Sequence, residues 1–247
     1  MDRRLGASLA AEGLGTFLFF VVGAGSIVVG TFAPDAAPGL VGVALAHGLV
    51  LAVLVSSLGA ISGGHFNPAV TFAVWVGGRI GATTGALYIG AQLIGSVLAG
   101  LVLRAVFPEA AWAPSHIGTP GLASGLSPAT GIGIEAILTV LLVLAVFGTA
   151  VDRRGPRIGG LAIGLAVAAD ILVGGPLTGA AMNPARWFGP AVASGFLDNW
   201  IVWIVGPLLG AGAAAAVYRS LFAERPVEEP ETLGDVVVAA SVTRRGR

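Results

Sequence analysis

The feature that most constrains this chain is a series of six apolar stretches, at about 7–29, 39–60, 82–106, 130–150, 158–175 and 200–222. Each is close to the ~20 residues that an α-helix needs to cross the hydrocarbon core of a membrane. A soluble core cannot bury so many long apolar helices, and only 11% of the 247 residues are charged. The sequence therefore predicts an all-α membrane protein with six transmembrane helices.

The arginines predict how these helices are oriented. Six spans put both chain ends on one side, and the arginines of 3–4, 79, 153–157 and 219–225 all fall on that side. Arg104, at the outer end of the third span, is the exception. Because Lys and Arg are enriched in cytoplasmic loops, we expect both termini to be cytoplasmic. The expected location is the cell (inner) membrane, with the first apolar run retained as a helix.

The chain divides into one predicted domain and a tail. Residues 1–222 hold all six apolar stretches, whereas 223–247 are rich in Glu, Arg and Pro. Low hydrophobicity combined with mixed charge is typical of disordered segments. We therefore expect a single six-helix domain followed by a disordered cytoplasmic tail.

The six-helix domain is internally duplicated. Glu12 and Glu135 each begin a Glu-x-x-x-Thr segment within an apolar run, and each half then contains an Asn-Pro-Ala triplet. Each copy, about 7–106 and 130–222, holds three spans, so the second copy enters the membrane in the opposite sense. The sequence predicts inverted repeats around a site near the membrane midplane. The triplets are Asn67-Pro68-Ala69 and Asn183-Pro184-Ala185.

Each triplet predicts the start of a short helix. An Asn side chain caps free backbone N–H groups, and proline at the first helical position loses no needed donor. The apolar segments that follow, 69–76 and 185–192, are too short to span a membrane. We expect two re-entrant half-helices, preceded by non-helical backbone that is tolerated at membrane depth only inside protein or along a wet cavity.

The residues around both triplets resemble the major intrinsic proteins, the family of aquaporins and glycerol facilitators. The strongest segments are SGGHFNPAVT at 62–71 and MNPAR at 182–186, and the similarity runs from Glu12 to Leu221. Segments 175–182 and 187–191 are most similar to plant tonoplast intrinsic proteins. The resemblance implies an aquaporin-like fold, one pore per subunit with the two triplets at its centre, and a homotetramer.

The resemblance also implies a selectivity filter toward the outer face. Counted from the two Asn residues, the family's filter positions correspond here to His47, Ile171, Ala180 and Arg186. An arginine within a membrane protein is costly, so we expect Arg186 to face the pore. His116, in the long outer loop, resembles a loop histidine of the tonoplast group that reaches the filter. Ile171 and Ala180 predict a wider and less polar opening than that of strict water channels.

Three further carboxylates lie in the apolar spans. By resemblance, Glu12 and Glu135 hold the re-entrant loops through hydrogen bonds to the backbone. Asp170 stands beside Ile171, where the tonoplast group tends to have Asn, and Trp187 replaces the small residue that is usual after the filter arginine. The resemblance gives no account of Asp170 in a channel, and Trp187 could shift the half-helix in which it stands.

The predicted function is passive passage of water and small uncharged solutes such as ammonia and urea, with protons and ions excluded. Two half-helices that begin at the midplane bring two positive dipole ends together, and their Asn amides donate hydrogen bonds to water. A glycerol facilitator is an alternative, although facilitators tend to carry Asp and a basic residue where this chain has Trp187 and Ala191. An ion-coupled secondary transporter is a further alternative, with Asp170 as its candidate coupling group.

Other functional classes have little support in the sequence. No HExxH-like or GxSxG-like segment is present, so we expect no enzyme activity and no cofactor. The chain has no cysteine and three scattered histidines, which predicts no metal site. Its formal net charge of zero gives no indication of a nucleic-acid partner.

Overall fold

The computed structural model describes residues 3–222, and the predicted tail at 223–247 lies outside the described residues. In chain order the helices are α1 (Arg3–Phe32), α2 (Gly39–Ser62), α3 (Pro68–Val76), α4 (Ala82–Val106), α5 (Glu109–Trp112), α6 (Pro128–Val146), α7 (Gly159–Thr178), α8 (Pro184–Ser194) and α9 (Ile201–Val217). Single π-helical turns, Phe147–Val151 and Tyr218–Phe222, extend α6 and α9.

Six of the described helices are long and apolar enough to cross a membrane: α1, α2, α4, α6, α7 and α9. The prediction of an all-α membrane protein with six spans is confirmed. Several helices extend beyond the predicted apolar stretches, and α1 is the clearest case, running from Arg3 to Phe32. Backbone hydrogen bonding continues into the polar ends of such a helix, which the apolar pattern alone does not mark.

The helices pack in matching pairs, as an inverted repeat requires. Helix α1 packs on α2 and α4, and α6 packs in the same way on α7 and α9. Each half-helix contacts the last span of the other repeat, α8 with α4 and α3 with α9, while α2 and α7 pack against each other. The backbones of α2 and α7 approach closely at Gly48 and Gly164, where a Cβ on Gly164 would collide with the Gly48 carbonyl.

Polar and apolar residues are distributed as expected for a protein surrounded by lipid. Val53, Ile94, Ile137 and Val173 are each more than 60% exposed on the outside of the bundle. The polar side chains of Glu12, Gln92 and Glu135 are instead fully buried. Because lipid offers no hydrogen-bond partner, such groups must find partners inside the bundle.

Candidate functional site

The two half-helices begin at the Asn residues of the triplets. Asn67 precedes α3 and Asn183 precedes α8, and both have extended backbone with φ of −158° and −155°. The Asn67 Oδ1 accepts hydrogen bonds from the N–H groups of Ala69 at 2.8 Å and Val70 at 3.4 Å. The Asn183 Oδ1 accepts in the same way from the two residues that follow Pro184, at 3.0 and 3.3 Å. Each half-helix therefore starts with a side-chain cap and a proline, as predicted.

The loops before the half-helices repeat the same backbone conformation. The first has positive φ at Gly63, Gly64 and Phe66, and the second has it at the corresponding 179, 180 and 182. Phe66 has φ of 46°, and Ala180 and Met182 have 45° and 52°. Non-glycine residues in this region cost about 1–3 kcal/mol each, so the surrounding structure must hold them there.

Glu12 holds the first loop from α1. Its Oε1 accepts hydrogen bonds from the Ser62 hydroxyl at 2.6 Å and the His65 N–H at 3.0 Å. Its Oε2 accepts from the Phe66 N–H at 2.7 Å and the Gln92 amide at 2.8 Å. A fully buried carboxylate with four donors is well satisfied, so it stabilises a loop that could not otherwise lie inside the bundle.

Glu135 holds the second loop from α6 with a similar set of contacts. Its Oε1 accepts from the Thr178 hydroxyl at 2.6 Å and the Ala181 N–H at 3.0 Å, and its Oε2 accepts from the Met182 N–H at 2.7 Å. The threonine of each Glu-x-x-x-Thr segment donates its hydroxyl to the backbone carbonyl of the glutamate, at 2.7 Å in both halves. The Glu-x-x-x-Thr segment therefore recurs because its threonine bonds to the backbone of its glutamate in both halves.

The two Asn amides meet across the inner ends of the half-helices. The Asn67 Nδ2 donates to the Met182 carbonyl at 2.9 Å, and the Asn183 Nδ2 donates to the Phe66 carbonyl at 3.0 Å. Each NH₂ group carries two hydrogens, so one remains after this contact. Both Asn side chains also line the central cavity. Each therefore presents one amide hydrogen to a molecule in the cavity.

One cavity connects these groups with the predicted filter. It is lined by both Asn residues and by all four predicted filter residues, His47, Ile171, Ala180 and Arg186. Most of its remaining wall is apolar, including Phe19, Leu51, Val70, Val74, Leu142, Val146, Ile163 and Val167. The other members of the triplets do not line it; Pro68, Ala69, Pro184 and Ala185 are buried and form the first turns of α3 and α8.

Arg186 and His47, two of the predicted filter residues, are in direct contact. The Arg186 Nε donates to the His47 Nε2 at 3.1 Å, and the His47 Nδ1 lies 2.8 Å from the Val43 carbonyl. A guanidinium cannot accept and a carbonyl cannot donate, so the two contacts require a neutral ring with its proton on Nδ1. Both ring nitrogens are used within the protein. His47 therefore positions the arginine and has no ring nitrogen left for a solute.

The loop between α4 and α6 reaches the predicted filter through Gly118, and the His116 ring lies elsewhere. His116 is exposed and its ring stacks on Phe196, with centroids 4.1 Å apart and an interplanar angle of 8°. The Gly118 carbonyl instead accepts a hydrogen bond of 2.8 Å from the Arg186 Nη1. The successive φ values of His116, Ile117 and Gly118, 47°, 57° and 71°, turn the chain there. The prediction that the His116 ring reaches the filter is not met in this structure.

Comparisons with known proteins give the family. The family model described as Major intrinsic protein matches residues 4–218. This chain belongs to the major intrinsic protein family. Aquaporin TIP4-4 of Zea mays is 44% identical to it over 230 residues, which cover 90% of this chain and 89% of the relative. Aquaporin TIP2-1 of Arabidopsis thaliana is 46% identical over 220 residues, 86% of either chain.

A solved structure supports the fold of this major intrinsic protein. The X-ray structure of the aquaglyceroporin from Plasmodium falciparum superposes with a TM-score of 0.75 at 21% identity, covering 88% of this chain and 96% of that one. The predicted family and the predicted aquaporin-like fold are therefore confirmed. The chain is an aquaporin-type membrane channel.

The sequence did not predict the contacts that Gln92 and Trp203 make in this site. Gln92 donates to Glu12 and also to the Thr71 hydroxyl at 2.8 Å, so it links the first loop with α3. The Trp203 Nε1 donates to the Thr178 carbonyl at 3.0 Å. A fully buried amide in a membrane span is costly without partners, which was the available signal for Gln92.

Asp170 stands next to Ile171 in α7 but does not line the cavity. Its side chain is 3% exposed, and its Oδ2 has no hydrogen-bond partner among residues 3–222. Its neighbour Ile171 lines the cavity, but Asp170 is not among the lining residues of the part of the chain that is described. Within the same residues there is no group of three or more His, Cys, Asp or Glu side chains that could hold a metal ion.

Proposed function

We propose that this channel passes water and small uncharged solutes passively and excludes ions and protons. The observation that carries the proposal is the pair of Asn67 and Asn183, each with one amide hydrogen left for the cavity. Both side chains stand at the N-termini of half-helices, whose dipoles are positive at that end. The centre of the pore therefore offers donors and a positive potential, which favours a water oxygen over a cation.

This arrangement supports water passage without proton passage. A water molecule between Asn67 and Asn183 accepts hydrogen bonds through its oxygen, so its own hydrogens point away from the centre along the pore. It then has no free acceptor for a proton from a neighbouring water. The positive ends of α3 and α8 raise the free energy of a hydronium ion at the same point.

The geometry of the filter favours the passage of small uncharged solutes, including ammonia and urea. Arg186 uses its Nε–H for His47 and one Nη1–H for the Gly118 carbonyl. A guanidinium carries five N–H donors, so three remain to bind an uncharged solute with an acceptor. Ile171 and Ala180 contribute only apolar side chains to the rest of the opening.

Passive transport fits the site better than the alternatives do. An ion-coupled transporter needs an ionisable group in the transport path. Asp170, the candidate for that role, does not line the cavity among the described residues. We also propose that the chain has no enzyme activity, because the described residues that line the cavity do not include a nucleophile beside a general base. A glycerol facilitator remains the alternative within the family.

The assembly and membrane location are proposed on the family membership and on the distribution of arginines. We propose a homotetramer with one pore per subunit, in the cell (inner) membrane, and with both termini cytoplasmic. Arg79 and the Arg153–Arg154–Arg157 group lie in loops on one side of the six-span topology, as the positive-inside rule requires. The mass of the detergent-solubilised protein by light scattering tests the tetramer, and protease accessibility of the C-terminus in sealed vesicles tests the orientation.

Stopped-flow light scattering of reconstituted vesicles tests the function. Osmotic shocks with sucrose, urea, ammonia and glycerol are applied to vesicles with the protein, without it, and with Ile171→Trp, which fills the filter. We expect fast water flux, measurable ammonia and urea flux, and loss of all of these in Ile171→Trp. Solute accumulation driven by an ion gradient would show coupled transport, and water flux equal to that of empty vesicles would contradict the proposal.

A further inference from the structure

The two re-entrant loops are held from behind by different residues in the two halves. In the first half, the Tyr88 hydroxyl donates to the Ser62 carbonyl at 2.9 Å. In the second half, the Trp203 Nε1 donates to the Thr178 carbonyl at 3.0 Å. Ser62 and Thr178 stand at the same position relative to the Asn of their triplets. The hydrogen bond is thus conserved between the repeats, although its donor differs.

Beyond this hydrogen bond, the halves diverge. Gln92 lies one turn after Tyr88 and donates to both Glu12 and Thr71. At the equivalent position, one turn after Trp203, the second half has proline, which offers no donor. Trp187, four residues after Asn183, takes the position that Thr71 has after Asn67. The polar link of the first half therefore has no counterpart in the second.

In the second half, an aromatic stack of Trp187 and Trp203 replaces the polar link. The rings of Trp187 and Trp203 lie with centroids 5.8 Å apart and an interplanar angle of 7°. Their side chains are 4% and 0% exposed. The Trp187 Nε1 has no hydrogen-bond partner among residues 3–222, so Trp187 acts through its ring. Parallel, buried aromatic rings pack with little freedom to move, which suits a positioning role.

The stack is joined to two filter residues at once. Trp187 directly follows Arg186 in the first turn of α8. Trp203 holds the carbonyl of Thr178, whose hydroxyl accepts from the Ala180 N–H at 3.2 Å. Ala180 has φ of 45°, a conformation that persists only if its surroundings fix it. The stack is thus connected to Arg186 through the chain and to Ala180 through Thr178.

We propose that the Trp187–Trp203 stack is a positioning element that sets the width of the filter and hence the permeability of urea relative to water. The proposal rests on the function proposed above and adds a determinant of its solute range. The stacked rings keep Arg186 and Ala180 at a fixed separation. Loosening the stack lets the second loop relax and weakens the exclusion of larger solutes.

The duplicated fold provides a matched pair of variants. Trp203→Phe keeps a ring but removes the donor to the Thr178 carbonyl. Tyr88→Phe removes the corresponding donor to the Ser62 carbonyl, in a loop that contributes no filter residue. One neutral hydrogen bond is lost in each, but Trp203→Phe also leaves a cavity where the indole is fully buried, so we expect it to lose more thermal stability than Tyr88→Phe.

The ratio of urea to water permeability shows whether the stack positions the filter residues or only stabilises the protein. In vesicles, we expect Trp203→Phe to raise the ratio of urea to water permeability about three- to tenfold and Tyr88→Phe to leave it unchanged. An unchanged ratio in Trp203→Phe, or an equal shift in both variants, would overturn the inference. If the unmodified channel passes no water, the proposed function fails as well, whereas a conducting channel with an unchanged ratio contradicts only the role of the stack.

Trp187 offers a second and independent comparison. Trp187→Phe retains an aromatic ring against Trp203, and Trp187→Thr introduces the residue found at this position in the first half. We expect the urea-to-water ratio to change little in Trp187→Phe and to rise in Trp187→Thr, again about three- to tenfold. Equal ratios in Trp187→Thr and the unmodified channel contradict the proposal. If Trp187→Thr does not fold, the Trp203→Phe and Tyr88→Phe pair decides.

Discussion

Arg186 and His47 are joined by a hydrogen bond of 3.1 Å in which the guanidinium Nε donates to the imidazole Nε2. The other ring nitrogen donates to the Val43 carbonyl, so the imidazole is fixed by its own helix. The two residues therefore stand together and do not face each other across the opening. In the proposed filter, this arrangement presents one oriented cation to the cavity, held by a neutral side chain.

This contact predicts the effect of His47→Phe. The substitution removes the acceptor of the Arg186 Nε–H, and an unsatisfied buried donor costs about 1–3 kcal/mol. The guanidinium borders the cavity on its open side. We therefore expect the guanidinium to turn into the cavity and narrow the opening. Urea permeability should then fall more than water permeability. The ratio is measured in reconstituted vesicles with His47→Gln, which retains an acceptor, as the control; an unchanged ratio in His47→Phe contradicts the prediction.

Removing the arginine itself tests charge exclusion. Arg186→Ala takes the fixed positive charge from the filter, so we expect water flux to persist or rise while cation leakage increases. Arg186→Lys keeps the charge but loses the planar set of donors that contacts both His47 and Gly118, and it should still exclude cations. Ion conductance across planar bilayers and water flux in vesicles are measured on the same preparations. Abolished water flux with unaltered selectivity in an inserted Arg186→Ala protein argues against this role.

The fold could be predicted from the sequence because its signals are local. The length of each apolar stretch predicts a span, and Asn followed by Pro predicts the start of each half-helix. The contacts that build the filter are not local. The Gly118 carbonyl reaches Arg186 because the loop between α4 and α6 turns back through three residues with positive φ, and no short pattern marks such a turn when two of them are His116 and Ile117.

Some parts of the site depend on how the repeats pack. The role of Glu12 and Glu135 followed from family resemblance, and the donors supplied by Gln92 and Trp203 come from other helices of the same repeat. Trp187 could be recognised as unusual in the sequence, but its partner lies on α9 and only the structure identifies it. Residues that act through tertiary contacts leave little trace in spacing or composition.

The buried glutamates predict a large effect on stability. Glu135→Gln places an NH₂ group among donors, so the N–H groups of Ala181 and Met182 cannot both keep an acceptor. Each unsatisfied group costs about 1–3 kcal/mol, and we expect a total loss of about 2–5 kcal/mol in the free energy of unfolding. Unfolding in mixed detergent micelles measures it. Thr139→Val, which removes only the hydrogen bond to the Glu135 carbonyl, is the control and should cost about 1 kcal/mol.

Asp152, in the loop after α6, predicts that the stability of the protein depends on pH. Arg154 and the Tyr218 hydroxyl hold the pKa of this carboxyl well below its usual range. The Asp152 Oδ2 accepts from the Arg154 Nη2 at 2.6 Å and from the Tyr218 hydroxyl at 2.7 Å, which links the loop after α6 to the end of α9. A lowered pKa in the folded state means that the stabilisation is present above the ordinary value of about 3.9 and is lost as the pH falls below it.

We therefore expect Asp152→Asn to lower the thermal unfolding temperature slightly at pH 7. The difference from the unmodified channel should shrink as the pH is lowered below about 4, because the unfolded chain then takes up a proton on this carboxyl that the folded protein, with its lower pKa, does not yet bind. The effect is small because the ion pair is partly exposed to solvent. Asp35→Asn, in an exposed turn after α1, is the control. A difference that stays constant down to low pH contradicts the assignment.

The absence of cysteine from the chain allows a direct test of the filter. Mercurial reagents act through thiolates, so water flux through the unmodified channel should resist them. Ile171→Cys puts a thiol in the cavity, whereas Val173→Cys puts one on the outside of α7, where the native side chain is 68% exposed. We expect mercury to block Ile171→Cys, with recovery after addition of a thiol, and to leave Val173→Cys unaffected. Block of the unmodified channel would point to another reactive group, and resistance of Ile171→Cys would remove residue 171 from the conducting path.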